Sequence, residues 1–222
     1  IGSDKDSEGL QGTYRGVYDY NTFTTDEAII PVRGGDWYDG GFWADLYTHN
    51  WAEDSKPLYD TWKYLYKVIV FSNDALTTID KHKQLLTDEQ YKAYRAEVRA
   101  IRALYYYYLM DMFGNIPLVT TADESTENVE QASRPEVYRF IVKELQEVTP
   151  LLPTGHSNHL GKNYGRVTRS VANFLLAKLM LNGEVYSDAD WTDNQQPNGK
   201  QTYFTINGQQ MNIWQACKYY CD

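Results

Sequence analysis

Cysteine is almost missing from this chain: two of 222 residues, Cys217 and Cys221, both at its end. A disulfide framework is therefore excluded as the basis of the fold. Their spacing of four puts them on one helix face, but two thiols with no histidine nearby make a poor metal site, and they are read as free thiols. No run of about 18 apolar residues occurs, so no transmembrane helix is encoded. A basic start followed by an apolar stretch is also absent, so any signal peptide is expected to have been removed or to lie outside this sequence. Basic residues are in the minority, 21 against 30 acidic, giving a net charge of −9. That field repels polyanionic backbones and removes nucleic acid from the candidate partners. The chain also lacks a G-x-S-x-G elbow, a Walker loop, an H-E-x-x-H pair and a dinucleotide fingerprint, so no cofactor is expected.

Aromatic residues are abundant: 20 Tyr, 6 Trp and 7 Phe make up 15% of the chain. Tyr and Trp pair an apolar face with a polar handle, which suits half-wet binding surfaces. Most of the Tyr, however, fall at helical spacing and read as packing residues. Apolar positions recur at threes and fours from Pro57 to Asp80, which predicts a long helix. Thr87-Asp88-Glu89-Gln90 reads as a capping box. The following stripe of Tyr91, Tyr94, Val98, Ile101, Tyr105, Tyr108 and Met112 predicts a second long helix, stopped by Gly114 and Pro117. Ser133-Arg134-Pro135-Glu136 opens a third, carrying Val137, Phe140, Ile141, Leu145 and Val148. Thr168 to Tyr186 reads as a fourth, and Asn212 onward begins another. Asp190 to Gly208 reads as loop with a short strand at Tyr203–Ile206. The predicted fold is all-α, with tetratricopeptide-like antiparallel helix pairs and long irregular aromatic loops, although no clean 34-residue repeat is visible. Residues 1–222 are expected to form a single helical domain, the N-terminal portion of a longer chain that continues beyond Asp222.

The segment 24–56 differs in kind, with four glycines, clustered aromatics and no sustained helical period between Thr24 and Asn50. Long irregular stretches held on a rigid scaffold are where binding residues concentrate. A sugar offers a flat C–H face and a ring of hydroxyls, so its site needs aromatic platforms flanked by fixed polar groups. Arg33, Asp36, Trp37, Tyr38, Trp43, Asn50 and Trp51 supply that inventory and are the candidate ligand-binding residues. Trp43 and Trp51 have two readings, as ligand platforms or as anchors of the loop. No catalytic or metal-ligating set is assigned. His156 and His159 sit in a polar loop without an acidic or thiol ligand close by. Asp36 to Gly41 matches a calcium loop only in part. Asp36 and Asp39 are a carboxylate pair of the kind glycoside hydrolysis uses, but an aspartate beside glycine is more often a turn residue.

Four segments together carry a family resemblance: Thr25-Asp26-Glu27; Ala96 to Tyr105 running on through Asp111 to Leu118; Ser133 to Tyr138 with Leu151-Leu152-Pro153; and Tyr164 to Ala172 with Leu175 to Lys178. On these residues the chain resembles the SusD/RagB family, surface glycan-binding lipoproteins of Bacteroidetes outer membranes. The resemblance implies a non-catalytic receptor that passes oligosaccharide to a SusC-like TonB-dependent transporter. It also implies a position on the extracellular face of the outer membrane, held by an N-terminal lipid anchor not present in this sequence. Some family members capture peptides, which makes a peptide receptor the alternative; a glycoside hydrolase and a purely structural cover for a barrel are the remaining rivals. Starch-binding members place tryptophans a few residues after the Thr-Asp-Glu element. Here those places hold Ile30 and Val32, which counts against starch as the ligand.

Overall fold

The computed structural model describes residues 16–122, 129–190, 193 and 203–222. It is mostly helical and divides into two compact units, Ile1–Lys67 and Val68–Asp222. The first contains α1 (Val17–Phe23), a 3-10 turn (Asp39–Gly41), α2 (Phe42–Thr48) and the start of α3 (Lys56–Lys81). The second holds the rest of α3, then α4 (Asp88–Phe113), α5 (Arg134–Val148), α6 (Arg169–Leu181), α7 (Gly183–Tyr186) and α8 (Ile213–Cys221). Among the described residues the strands are two short antiparallel ladders. One pairs β1 (Ile116–Pro117) with β2 (Gln131–Ala132), and the other pairs β3 (Tyr203–Ile206) with β4 (Gln209–Asn212).

The helix boundaries follow from local chemistry. Thr87 caps α4 by accepting the Gln90 amide at 3.2 Å while the Gln90 side chain accepts the Thr87 amide at 3.0 Å. Gly114, at φ 71°, ends that helix in a conformation that favours glycine. At the start of α5 the Glu136 carboxylate accepts both the amide and the hydroxyl of Ser133, at 2.8 and 2.6 Å.

Cross-links then show that α4 and α5 run antiparallel. Arg99 and Arg102 of α4 bind Glu144 of α5, the rings of Tyr106 and Phe140 meet edge to face, and the Asn115 side chain accepts the Arg134 amide. The pair α5 and α6 is antiparallel too, because Tyr138 donates to the Leu179 carbonyl at one end and Arg169 to the Thr149 and Pro150 carbonyls at the other. The core of this unit contains Tyr106, Leu109, Met110, Ile116, Ile141, Leu145, Leu176, Leu179 and Met180, all buried.

Three sequence expectations are corrected. The face that α4 buries is built on Ala96, Ala100, Ala103, Tyr106 and Met110, whereas Tyr94 of the predicted stripe is exposed and Val98 and Ile101 are only half-buried. The small side chains along this seam permit close approach of a neighbouring element, as Ala100 and Ala103 suggest in the sequence. The helix predicted from Thr168 to Tyr186 is interrupted at Asn182. Its side-chain amide bonds the Lys178 carbonyl at 2.9 Å, and Gly183, a weak helix former, follows. Segment 24–56 is not irregular throughout, since it contains the 3-10 turn and α2. Of the loop expected over Asp190 to Gly208, residues 191–192 and 194–202 lie outside the described residues.

Candidate functional site

The first unit builds an aromatic segment on α1 and α2. The Thr25 hydroxyl donates to the Thr22 carbonyl at 2.8 Å and accepts the Glu27 amide at 3.2 Å, closing the turn after α1. The His49 ring, from the far end of the segment, donates to the Thr24 carbonyl at 2.8 Å. The two ends of the stretch from Thr24 to His49 are thereby latched together. Thr25-Asp26-Glu27 is thus part of the frame of the site.

Within that frame Arg33 and Asp36 face each other across a two-residue turn, exchanging amide-to-carbonyl bonds of 3.1 and 3.0 Å around Gly34 (φ 61°) and Gly35. Residues directly opposite across such a bridge project to the same side. The backbone thus brings Arg33 and Asp36 opposite each other, with both side chains exposed. Trp37 and Asp39 follow with φ of 61° and 41°, and His49 has φ of 55°. Non-glycine residues seldom adopt this conformation, and they concentrate where surrounding structure imposes it for binding or turning.

The candidate aromatics take different roles. Trp43 is buried, 8% exposed, with edge-to-face contacts to Phe23 at 5.3 Å, Phe42 at 5.0 Å and Trp37 at 6.1 Å. Its indole N–H donates to the Asp39 carboxylate at 2.7 Å. These contacts are those of the anchor in the earlier pair of alternatives. Trp37 and Tyr38 are more than half exposed, and Trp37 rests on the edge of Trp43. Trp51 is 45% exposed beside the His49 ring, with centroids 5.7 Å apart, and it forms one wall of a cleft of about 410 Å³. Asp39, Asp45, Phe42 and Leu58 line the same cleft. Asn50 is exposed, and its amide caps α2 by donating to the Asp45 carbonyl at 2.8 Å.

Of the seven candidates, only Trp51 lines this cleft; Arg33, Asp36, Trp37 and Tyr38 belong to the adjoining turn. Asp45, which also lines it, was passed over in the sequence because α2 was not foreseen. The signal was available: Asp45 sits in the first turn of a helix that begins after a glycine pair. Two aspartates and a tryptophan around a cleft of this size can accept hydroxyl hydrogens while stacking an apolar ring face.

In the second unit the residues that carried the resemblance are structural ties. Arg102, buried, donates to Asn73 at 2.8 Å, the Thr120 carbonyl at 2.8 Å and Glu144 at 2.8 Å. Arg99 binds Glu144 and Glu147, each at 2.5 Å. Arg166 grips Glu97 with two bonds of 3.1 and 2.7 Å. Burial alone would raise the Glu144 carboxyl, but hydrogen bonds from Arg99 and then Arg102 outweigh it and hold it below the usual carboxylate range. No group of three or more histidine, cysteine or carboxylate side chains that could hold a metal ion occurs among the described residues.

The antiparallel helix pairs of the second unit place its fold in the tetratricopeptide-like helical class. Comparison with known proteins narrows this. Residues 8–181 match a SusD-like family described as starch-binding and associating with the outer membrane. The chain belongs to this SusD-like family. It is 25% identical over 184 residues to the starch-binding protein SusD of Bacteroides thetaiotaomicron, covering 83% of this chain and 31% of that protein. A SusD-like protein of Bacteroides ovatus is 27% identical over 173 residues, covering 75% of this chain and 30% of its own length. Among solved structures, surface glycan-binding protein A from Bacteroides uniformis superposes with a TM-score of 0.66 at 26% identity, covering 80% of this chain and 38% of that one. The chain thus spans about a third of the length of these relatives.

Proposed function

We propose that this protein is a non-catalytic glycan receptor of the outer membrane surface and that segment 24–56 holds its ligand. The observation that carries the reading is the cleft in which Trp51 stands beside Asp39 and Asp45, on a segment latched by His49. A pyranose ring stacks its C–H face on an indole and donates its hydroxyls to carboxylates, and charge-assisted acceptors of this kind are the stronger ones. The exposed turn of Arg33, Asp36, Trp37 and Tyr38 extends the contact for a longer chain of sugars, and Asn50, next to Trp51 in sequence, adds an exposed polar group. The starch-binding and glycan-binding relatives support the same ligand class.

Delivery of the bound glycan to a SusC-like TonB-dependent transporter, from a lipid-anchored position on the extracellular face, completes the proposal. No helix among the described residues is long and apolar enough to cross a membrane. Isothermal titration against plant, host and microbial polysaccharides tests the reading, with reducing-sugar release measured in parallel. Saturable binding to at least one glycan with no release of reducing ends is the expected result. Binding to none of them, or hydrolysis of a bound one, overturns it.

A further inference from the structure

Segment 24–56 carries seven carboxylates against two basic side chains, Arg33 and Lys56, a net of −5 within a chain whose total is −9. More than half of the net charge is thus concentrated in about a seventh of the residues. Lys56 is itself ion-paired with Asp60, which leaves Arg33 as the cation of the segment with no salt bridge to an acid among the described residues. Two of the carboxylates, Asp39 and Asp45, line the cleft directly, and Glu53 and Asp54 stand exposed between its lining residues Trp51, Ala52 and Ser55.

From this distribution we infer that the site selects uncharged glycans and rejects uronate-containing and sulfated ones. The inference rests on the glycan-receptor reading and adds the chemical class of the ligand. A carboxylate or sulfate on a sugar bound in the cleft stands within a few ångströms of Asp39 or Asp45, and like charges brought together at a partly dehydrated site are strongly disfavoured. A neutral sugar meets the same oxygens as hydrogen-bond acceptors. The field of the whole segment extends the effect beyond contact range, since the screening length at physiological salt is about 8 Å. A polyanionic chain is thus opposed before it docks. Arg33 shares its turn with Asp36, so the turn adds no net positive charge to the segment.

Galacturonan oligosaccharides supply a matched pair of probes, because methyl esterification masks the carboxylate without changing the backbone. They are measured beside neutral glucans, mannans and xylans and beside alginate and heparin, at two salt concentrations. The expected result is binding within the neutral set that changes little with salt, and affinity for every polyanion at least about tenfold weaker than for the best neutral ligand. The double variant Glu53→Lys, Asp54→Lys is expected to keep neutral-glycan affinity within about twofold while raising polyanion affinity severalfold. Tighter binding of free uronate or heparin than of any neutral glycan overturns the inference and leaves the glycan-receptor reading standing. Binding to no glycan of either set overturns both.

Discussion

At the scale of single residues, Trp43 and Trp51 of one segment differ in burial and so in what their removal is expected to do. Trp43 is a packing residue held by Asp39, so Trp43→Ala removes a buried ring and leaves a cavity among Phe23, Phe42 and Trp37. A loss of about 3 to 5 kcal/mol is expected for a buried Trp→Ala change, read as a lower midpoint in urea unfolding of the first unit. Trp51→Ala, at a half-exposed cleft wall, is expected to leave that midpoint nearly unchanged. Arg102 is a different case, since removing it leaves Glu144 buried with one partner fewer. Arg102→Met is expected to destabilise by about 3 to 5 kcal/mol. The same carboxylate sets an acid limit. Its folded pKa is depressed, so its stabilisation is fully present above the unfolded value near 4.3 and is lost as pH falls through the lower folded value. Thermal unfolding between pH 7 and pH 3 should show a drop in midpoint at the acid end, and Glu144→Gln should flatten it.

Elements were legible in the sequence where local chemistry and periodicity agreed, and illegible where tertiary contact decided. The starts of α4 and α5 lay in their capping boxes, and the end of α4 lay in Gly114. The stripe read on α4 was right only in part, since Tyr105 is buried but Tyr94 is exposed and Val98 and Ile101 are half-buried; spacing of threes and fours alone does not choose which face meets the core. Two local signals went unused: Asn212 with Gln215, which caps α8, and Asn207-Gly208, whose φ of 50° and 77° turn β3 into β4. Helix α2 had too few residues for a periodic pattern, and with it the position of Asp45 in the cleft was hidden. The seam makes a prediction at this scale. Ala103→Leu forces a larger side chain into fully buried space and is expected to cost about 1 to 3 kcal/mol. Ile101→Ala, half-buried on the same helix, should cost less, and a urea titration of both variants in parallel checks the order.

For the whole molecule, a helical scaffold tied by Glu97, Arg99, Arg102 and Arg166 is distinct from the aromatic, acidic segment proposed to hold the ligand. Family membership was legible because the scaffold ties are charged residues at fixed spacing, each needing its partner. The candidate site was legible only as an inventory. Sequence places Trp37, Trp43 and Trp51 in one stretch, but which ring is buried and which lines a cleft depends on folding α1, α2 and the His49 latch together. The central claim is that the ligand is held in this segment, and it is tested most directly by isothermal titration of Trp51→Ala beside the unmodified protein, using the neutral glycan that the unmodified protein binds best. An affinity loss of about 30-fold, roughly 2 kcal/mol, is expected, with the thermal midpoint unchanged within about 2 °C. Full affinity in a folded Trp51→Ala protein contradicts the claim.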